Sequence, residues 1–184
     1  MRRCFILFVL LLTAGCNSNT ARHPNVKRLD GTIANLSAND FNSRVFLFVK
    51  TDCPIGNRYA PKIVELAKLS DGFNLKFALV YPDKHLTTEA IEAHQNEFGL
   101  TLPTYRDPEH ELVRTTGASR APEAVVYNSS GVQVYRGRID NRYVDFGKAR
   151  PAPTSNDLRN VIESLGQGKR LTPRITEAVG CYLD

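Results

Sequence analysis

At 184 residues the chain has room for one ordinary domain with short appendages, not for two domains of usual size. Hydrophobic residues at 42% and charged residues at 23% make a globular composition and exclude a disordered or fibrous chain. The formal charge of +5 includes Arg2 and Arg3 of an expected leader. The other basic residues are scattered without interleaved aromatics, which excludes a nucleic-acid binder and leaves a solvated surface.

The chain opens with two arginines, an apolar stretch from Phe5 to Leu12, and then Thr13-Ala14-Gly15-Cys16. A membrane-spanning helix needs roughly 20 apolar residues, so this stretch reads as a secretory signal over residues 1–15. Small residues directly before a cysteine resemble the lipobox of bacterial lipoproteins, which implies lipidation of Cys16. The chain is then expected to be exported and lipid-anchored to a bacterial membrane, facing the periplasm or the cell exterior. Residues 16–30 are polar and aperiodic and read as a tether, residues 31–168 as the domain, and residues 169–184 as a tail carrying Cys181.

Within the domain, Val45-Phe46-Leu47-Phe48-Val49 is the continuous β-branched and aromatic run of a strand buried on both faces. Helical spacing of Tyr59, Ile63, Leu66 and Ala67 predicts a helix from Arg58 to Leu69, ended by Asp71-Gly72. A strand follows over Phe73 to Val80, then a helix from Thr87 to Phe98 with a threonine cap and Gly99 past its end. Leu102 to Tyr105 reads as extended and Glu109 to Thr115 as a short helix. The runs Ala124–Tyr127 and Val132–Tyr135 flank Asn128-Ser129-Ser130-Gly131 and predict a hairpin, before a last helix from Ser155 to Leu165. Strands alternating with helices predict an α/β fold with a central mixed sheet flanked by helices.

Cys53 falls between the first strand and the helix that follows it. Free N–H groups and the helix dipole at such a junction favour a thiolate, the nucleophilic form, so Cys53 is expected to be exposed, ionised and reactive. The other reading of the placement is a buried structural cysteine.

The βαβ…ββα order resembles thioredoxin. The stretch from Cys53 to Pro61 matches the register of its active-site helix, with Ala60-Pro61 where that family has an alanine–proline pair. A proline within a helix costs about 3 kcal/mol, so Pro61 calls for an explanation. Ala121-Pro122, directly before the first hairpin strand, lies where the resemblance implies a cis-proline packed against the active cysteine. The lone Cys53-Pro54 and the long insert look most like the redoxin branch, which includes alkyl hydroperoxide reductase and thiol-specific antioxidant relatives. Thr51-Asp52-Cys53-Pro54, Asn57-Arg58-Tyr59-Ala60-Pro61 and Asp140-Asn141-Arg142-Tyr143 share that likeness.

The chain departs from the pattern at two positions. Gly56 stands where thioredoxin has its second cysteine, and Lys50 stands where peroxiredoxins bind peroxide with Thr or Ser, with Thr51 one step closer. Arg114 and Arg120 are the candidate guanidinium groups for a peroxide site. Once the signal is removed and Cys16 is acylated, Cys53 and Cys181 are the remaining thiols. Cys181 is a candidate to resolve a mixed disulfide or sulfenic acid at Cys53; it fits equally a free thiol or a disulfide to another protein.

The expected function is thiol redox chemistry, an oxidoreductase with catalytic Cys53 and Cys181 supported by Thr51, Pro54, Pro61, Ala121 and Pro122. The partner would be a thiol or disulfide protein or a hydroperoxide, with membrane contact through the lipid alone. The alternatives are a peroxiredoxin-like peroxidase and a non-catalytic binding module. The histidines lack metal-ligand spacing, so no metal or other cofactor is expected.

Overall fold

The computed structural model describes residues 25–36 and 42–183. The expected signal and the lipidation candidate Cys16 lie outside the described residues.

The centre of the fold is the run that the sequence marks most strongly. It forms β3 (Arg44–Phe48), whose last four residues are buried. On one side β3 pairs in parallel with β4 (Lys76–Tyr81), with Arg44 opposite Lys76 and Phe48 opposite Val80. On the other it pairs antiparallel with β7 (Glu123–Tyr127), where Phe48 faces Glu123. β5 (Thr104–Arg106) extends the parallel side, and β8 (Gln133–Gly137) completes the predicted hairpin with β7.

Alternate residues of these strands point to opposite faces and build two cores. Val45, Leu47, Leu79, Tyr81, Ala124 and Val126 pack with Ile63 and Leu66 of α2 (Ala60–Gly72), Ile91 of α3 (Thr88–Phe98), and Leu158 and Ile162 of α5 (Asp157–Gly166). Phe46, Phe48, Val80 and Val125 pack on the other face with Leu112 and Val113 of α4 (Glu111–Thr116). Full burial of one such side chain contributes about 1.5–3 kcal/mol, so the two faces hold the sheet firmly. Thr87 caps α3 by accepting a bond from the Ala90 N–H, and Gly99 closes it in the left-handed conformation, as the sequence predicts.

Two expectations about the ends of the chain are corrected. The segment expected to be tether through residue 30 contributes β1 (Asn25–Arg28), which pairs antiparallel with both β5 and β2 (Ile33–Asn35). Val26 is its single apolar residue and is buried against the second core. Between β1 and β2, Asp30 accepts bonds from the N–H and hydroxyl of Thr32, and Gly31 takes positive φ. The tail expected over 169–184 carries two strands, β11 (Arg174–Ile175) and β12 (Cys181–Tyr182). β11 joins the outer edge of β8 in parallel, giving the order β11, β8, β7, β3, β4, β5, β1, β2 in one eight-stranded sheet.

The helix expected from Arg58 to Leu69 is α2, which starts at Ala60, and a separate short helix, α1 (Pro54–Arg58), precedes it across Tyr59. This break answers the question Pro61 raised. Pro61 lies in the first turn of α2, where a backbone N–H has no intrahelical acceptor and its loss costs nothing. α5 starts after Asn156, not at Ser155. β9 (Tyr143–Asp145) and β10 (Lys148–Ala149) form a small ribbon, and β6 (Arg120–Ala121) pairs with β12 apart from the main sheet.

Candidate active site

Cys53 is the N-cap of α1, with extended backbone at φ −86 and ψ 107, and Pro54 follows at the start of the helix. Its sulfur accepts the Gly56 N–H at 3.4 Å and donates to the Ala121 carbonyl at 3.0 Å. The Ala121–Pro122 peptide bond is cis. A Cβ built on Gly56 would lie 3.7 Å from the Cys53 sulfur and 3.9 Å from Pro122 Cδ, so helix start and proline corner meet at the thiol.

One expectation about Cys53 fails. The residue stands at the helix start beside Pro122, but it is not exposed: its relative accessibility is 0%. The covering is local and identifiable. β12 pairs antiparallel with β6, setting Cys181 opposite Ala121 and Tyr182 opposite Arg120. The Leu183 N–H extends the pairing by donating to the Ser119 carbonyl at 3.1 Å. Gly180 rests so closely on the Ala121 carbonyl that a Cβ there would stand 1.9 Å from the oxygen. The Arg120 guanidinium lies 3.3 Å from the centroid of the Tyr182 ring, a cation–π contact.

Cys181 meets Cys53 under this cover, and both are free thiols. Burial, then the hydrogen bond and charge of Cys53, then Asp52 push the Cys181 thiol up to about 11, while Lys50 pulls the other way. Cys181 is therefore held protonated at neutral pH.

The tail is fastened before it reaches the site. Arg174 donates to buried Asp157 at 2.6 Å, and Arg138 donates to the same carboxylate at 2.8 Å. Burial would raise the Asp157 pKa, but the bond and charge of Arg138, a bond from Ser155 and the charge of Arg174 outweigh it and hold the carboxyl below its ordinary value. The Thr176 N–H donates to the Arg136 carbonyl at 2.9 Å, and its hydroxyl bonds the Tyr135 hydroxyl at 2.7 Å. Gly137, at φ +146, allows this approach, since a Cβ would stand 2.2 Å from the Thr176 carbonyl oxygen.

Other residues fix the thiol's surroundings, and sequence reasoning assigned them no role. Buried Glu123 accepts the backbone N–H groups of Ser119 and Arg120 at 2.7 and 3.0 Å and faces Arg136 at 3.7 Å, so β7 clamps the β6 loop. The Asn57 amide donates to the Thr51 carbonyl at 3.0 Å, and its oxygen meets His94 Nε2 at 2.9 Å. With the Asn57 nitrogen committed to Thr51, Nε2 carries the proton and Nδ1 accepts from the Tyr81 hydroxyl at 2.8 Å. Burial lowers the His94 pKa, with Glu97 opposing, which suits the neutral ring this chain of bonds requires. The Tyr59 hydroxyl donates to buried Asp140 and its ring packs edge-on against Tyr143 at 5.4 Å. The segments Asn57-Arg58-Tyr59 and Asp140–Tyr143, singled out separately in the sequence, thus meet beside the site.

Of the candidate arginines, Arg120 stacks on Tyr182, and Arg114 donates to the Glu109 carbonyl at 2.7 Å. Thr51 is tied through its carbonyl to Asn57.

No protein-family model matches the chain, and no curated protein is similar to it in sequence. Solved structures are similar in shape. An uncharacterized conserved protein from Geobacillus kaustophilus superposes with a TM-score of 0.74 at 18% identity, covering 89% of each chain. A hypothetical protein from Sinorhizobium meliloti gives 0.71 at 20% identity, over 88% of this chain and 91% of that one. A secreted disulfide oxidoreductase of Mycobacterium tuberculosis, homologous to E. coli DsbE, gives 0.55 at 14% identity, over 79% and 96%. The chain has the thioredoxin fold. On this thioredoxin fold the residue three places after Cys53 is Gly56, and the thiol that meets Cys53 comes from the far end of the chain.

Proposed function

We propose that the protein is a thiol–disulfide oxidoreductase in which Cys53 attacks and Cys181 resolves. The contact between these two thiols, at the corner made by Ala121 and Pro122, is the observation that carries the reading.

In the reduced protein, Cys53 as thiolate attacks one sulfur of a partner's disulfide. The partner's S–S bond breaks, a Cys53–partner disulfide forms, and the partner's other sulfur leaves as a thiolate that takes up a proton. Cys181 then loses its proton and attacks the Cys53 sulfur, expelling the partner's remaining thiol and closing a Cys53–Cys181 disulfide. The forces that hold Cys181 protonated suit this order. Burial and the facing Cys53 thiol are the leading ones, and both fall away when the tail lifts and Cys53 is tied to a partner. The cycle run backwards oxidises a dithiol partner.

Support for hydroperoxide reduction is weaker. Lys50 occupies the position at which peroxiredoxins bind peroxide, and Arg114 and Arg120 are engaged elsewhere. The chain is further proposed to be exported and anchored through acylated Cys16, where an oxidising compartment favours a disulfide cycle. Fatty-acid labelling that persists in a Cys16→Ser variant would refute the anchor.

Peptide mapping of the oxidised, unreduced protein tests the main reading. A Cys53–Cys181 linked peptide is expected. Its absence after mild oxidation, with both cysteines alkylated at the rate of a free thiol, would leave a binding module with an inert site.

A further inference from the structure

The segment that covers Cys53 is itself a sample of what fits there. β12 is short, exposed at Tyr182, and held to β6 in a register that puts a cysteine opposite Ala121. Residues on either side of that cysteine meet specific features of the chain. Before it, Gly180 lies against the Ala121 carbonyl and Pro122 nitrogen, where any Cβ would stand 1.9 Å from the oxygen. Backbone conformation does not explain the glycine, because Gly180 lies outside the left-handed region; the constraint is space alone. After it, Tyr182 offers its ring face to Arg120. Glu123 holds the Ser119 and Arg120 N–H groups from behind and so ties this edge to β7.

We propose that the β6 edge selects the redox partner by its local sequence, taking an extended segment that reads glycine, reacting cysteine, aromatic residue. The partner strand takes the place of β12, antiparallel to Arg120 and Ala121, and brings its own cysteine to Cys53 at the position Cys181 vacates. This rests on the thiol–disulfide reading and adds to it the partner's local sequence. A β-branched or larger residue before the cysteine meets the Ala121 carbonyl; a small polar residue after it loses the Arg120 contact.

The test uses the full-length Cys181→Ser protein and eight-residue peptides copying residues 177–184, Glu-Ala-Val-Gly-Cys-Tyr-Leu-Asp. Each peptide cysteine is capped as a mixed disulfide with thionitrobenzoate. Cys53 attacks the peptide sulfur, the S–S bond to the cap breaks, and the cap leaves as a coloured anion. Its release gives the rate, and intact mass confirms the Cys53–peptide product. The Gly-Cys-Tyr peptide is expected to react at least about tenfold faster than peptides with alanine or valine in place of glycine. It should also react roughly two- to fivefold faster than one with serine in place of tyrosine. Rates within twofold across the four peptides would overturn the selectivity while leaving Cys53 a working nucleophile. No reaction with any peptide, nor with the same cap on glutathione, would overturn the thiol–disulfide reading and the inference with it.

A Gly180→Ala change in the otherwise intact reduced protein supplies an independent check. The crowding at Ala121 should lift the tail, and iodoacetamide labelling of Cys53, located by mass, should rise about tenfold. Labelling unchanged from the parent protein would show that the groove admits a Cβ and would overturn the proposal.

Discussion

The two thiols of the site are held in very different ways. Cys53 is built into the firmest part of the molecule: it follows β3, the strand buried between two cores, and its backbone starts α1. Cys181 sits on a two-residue strand whose partner, β6, is outside the main sheet; around it Ala178 is buried but Val179 and Leu183 are only partly buried against the cores, and polar contacts at Arg174, Thr176 and Leu183 supply the rest of the hold. Local opening is easiest where few apolar contacts are buried. The difference assigns the fixed thiol to attack and the detachable one to cover and resolve. Removing Cys53 should therefore abolish the chemistry. A Cys53→Ser variant is expected to lose thiol–disulfide exchange by roughly a thousandfold or more, measured with a small disulfide substrate, while its circular dichroism stays that of the parent. Retained exchange would move the nucleophile to Cys181 and dissolve the contrast.

Moving the second thiol onto the fixed element sharpens the same contrast. A Cβ on Gly56 would stand 3.5 Å from Cys53 Cβ, within the range of about 3.5–4.5 Å that disulfides require, and the three atoms nearest to it belong to Cys53 and Pro122. A Gly56→Cys, Cys181→Ser double variant is expected to form a disulfide within α1 and to restore turnover lost in Cys181→Ser alone. Thiol titration and mapping of the oxidised variant check this. Two free thiols after oxidation would mean that the tail supplies something besides its sulfur.

The same division governs what was legible in the sequence. The run Val45–Val49, the caps of α3 and the Ala121-Pro122 step before β7 all carry local signals, so the α/β order and the position of Cys53 could be read. β1 was missed because Val26 is its sole apolar residue and its pairing is with β5 and β2, not within itself. A signal was nevertheless present, since Asp30-Gly31 is a hairpin turn pair. β11 and β12 have two residues each, too few to show any period. The burial of Cys53 was hidden for the same reason: its cover comes from the chain's other end, and nothing near residue 53 announces it. Glu123 looked like an ordinary charged strand residue, because its partners are backbone N–H groups that no side-chain pattern reveals.

Glu123 is where the fixed half holds the edge used by the movable half. Replacing its carboxylate by an amide leaves two backbone N–H groups sharing a weaker acceptor and Arg136 with the Gly117 carbonyl but no carboxylate. A Glu123→Gln variant is expected to lose about 2–3 kcal/mol of stability by urea unfolding. It should also expose Cys53 to alkylation. Loss of stability with Cys53 still sealed would show that the tail holds its place without the clamp.

The smallest expected effects are on the tail alone, and they come from opposite ends of the pH scale. Cys181 has its folded pKa raised to about 11, so the folded state binds its proton more tightly than the unfolded chain does. The stability this confers is whole below the ordinary thiol pKa and is lost as pH rises from about 8.5 through 11. Asp157 has its folded pKa depressed, so its contribution is present above about 4, the ordinary carboxyl value, and is lost as pH falls through the lower folded value. The tail should hold best between these limits and lift at both. Hydrogen exchange of the Leu183 amide, which is bonded to Ser119, reads this directly once corrected for intrinsic rates: protection should be greatest near neutrality. An Arg174→Met change, which removes one partner of Asp157 at an exposed position, should lower that protection by only a fewfold and leave the acid loss shallower. Protection falling at the alkaline end in a Cys181→Ser variant as steeply as in the parent would detach the pH response from the thiol and make the tail's hold a matter of backbone pairing alone.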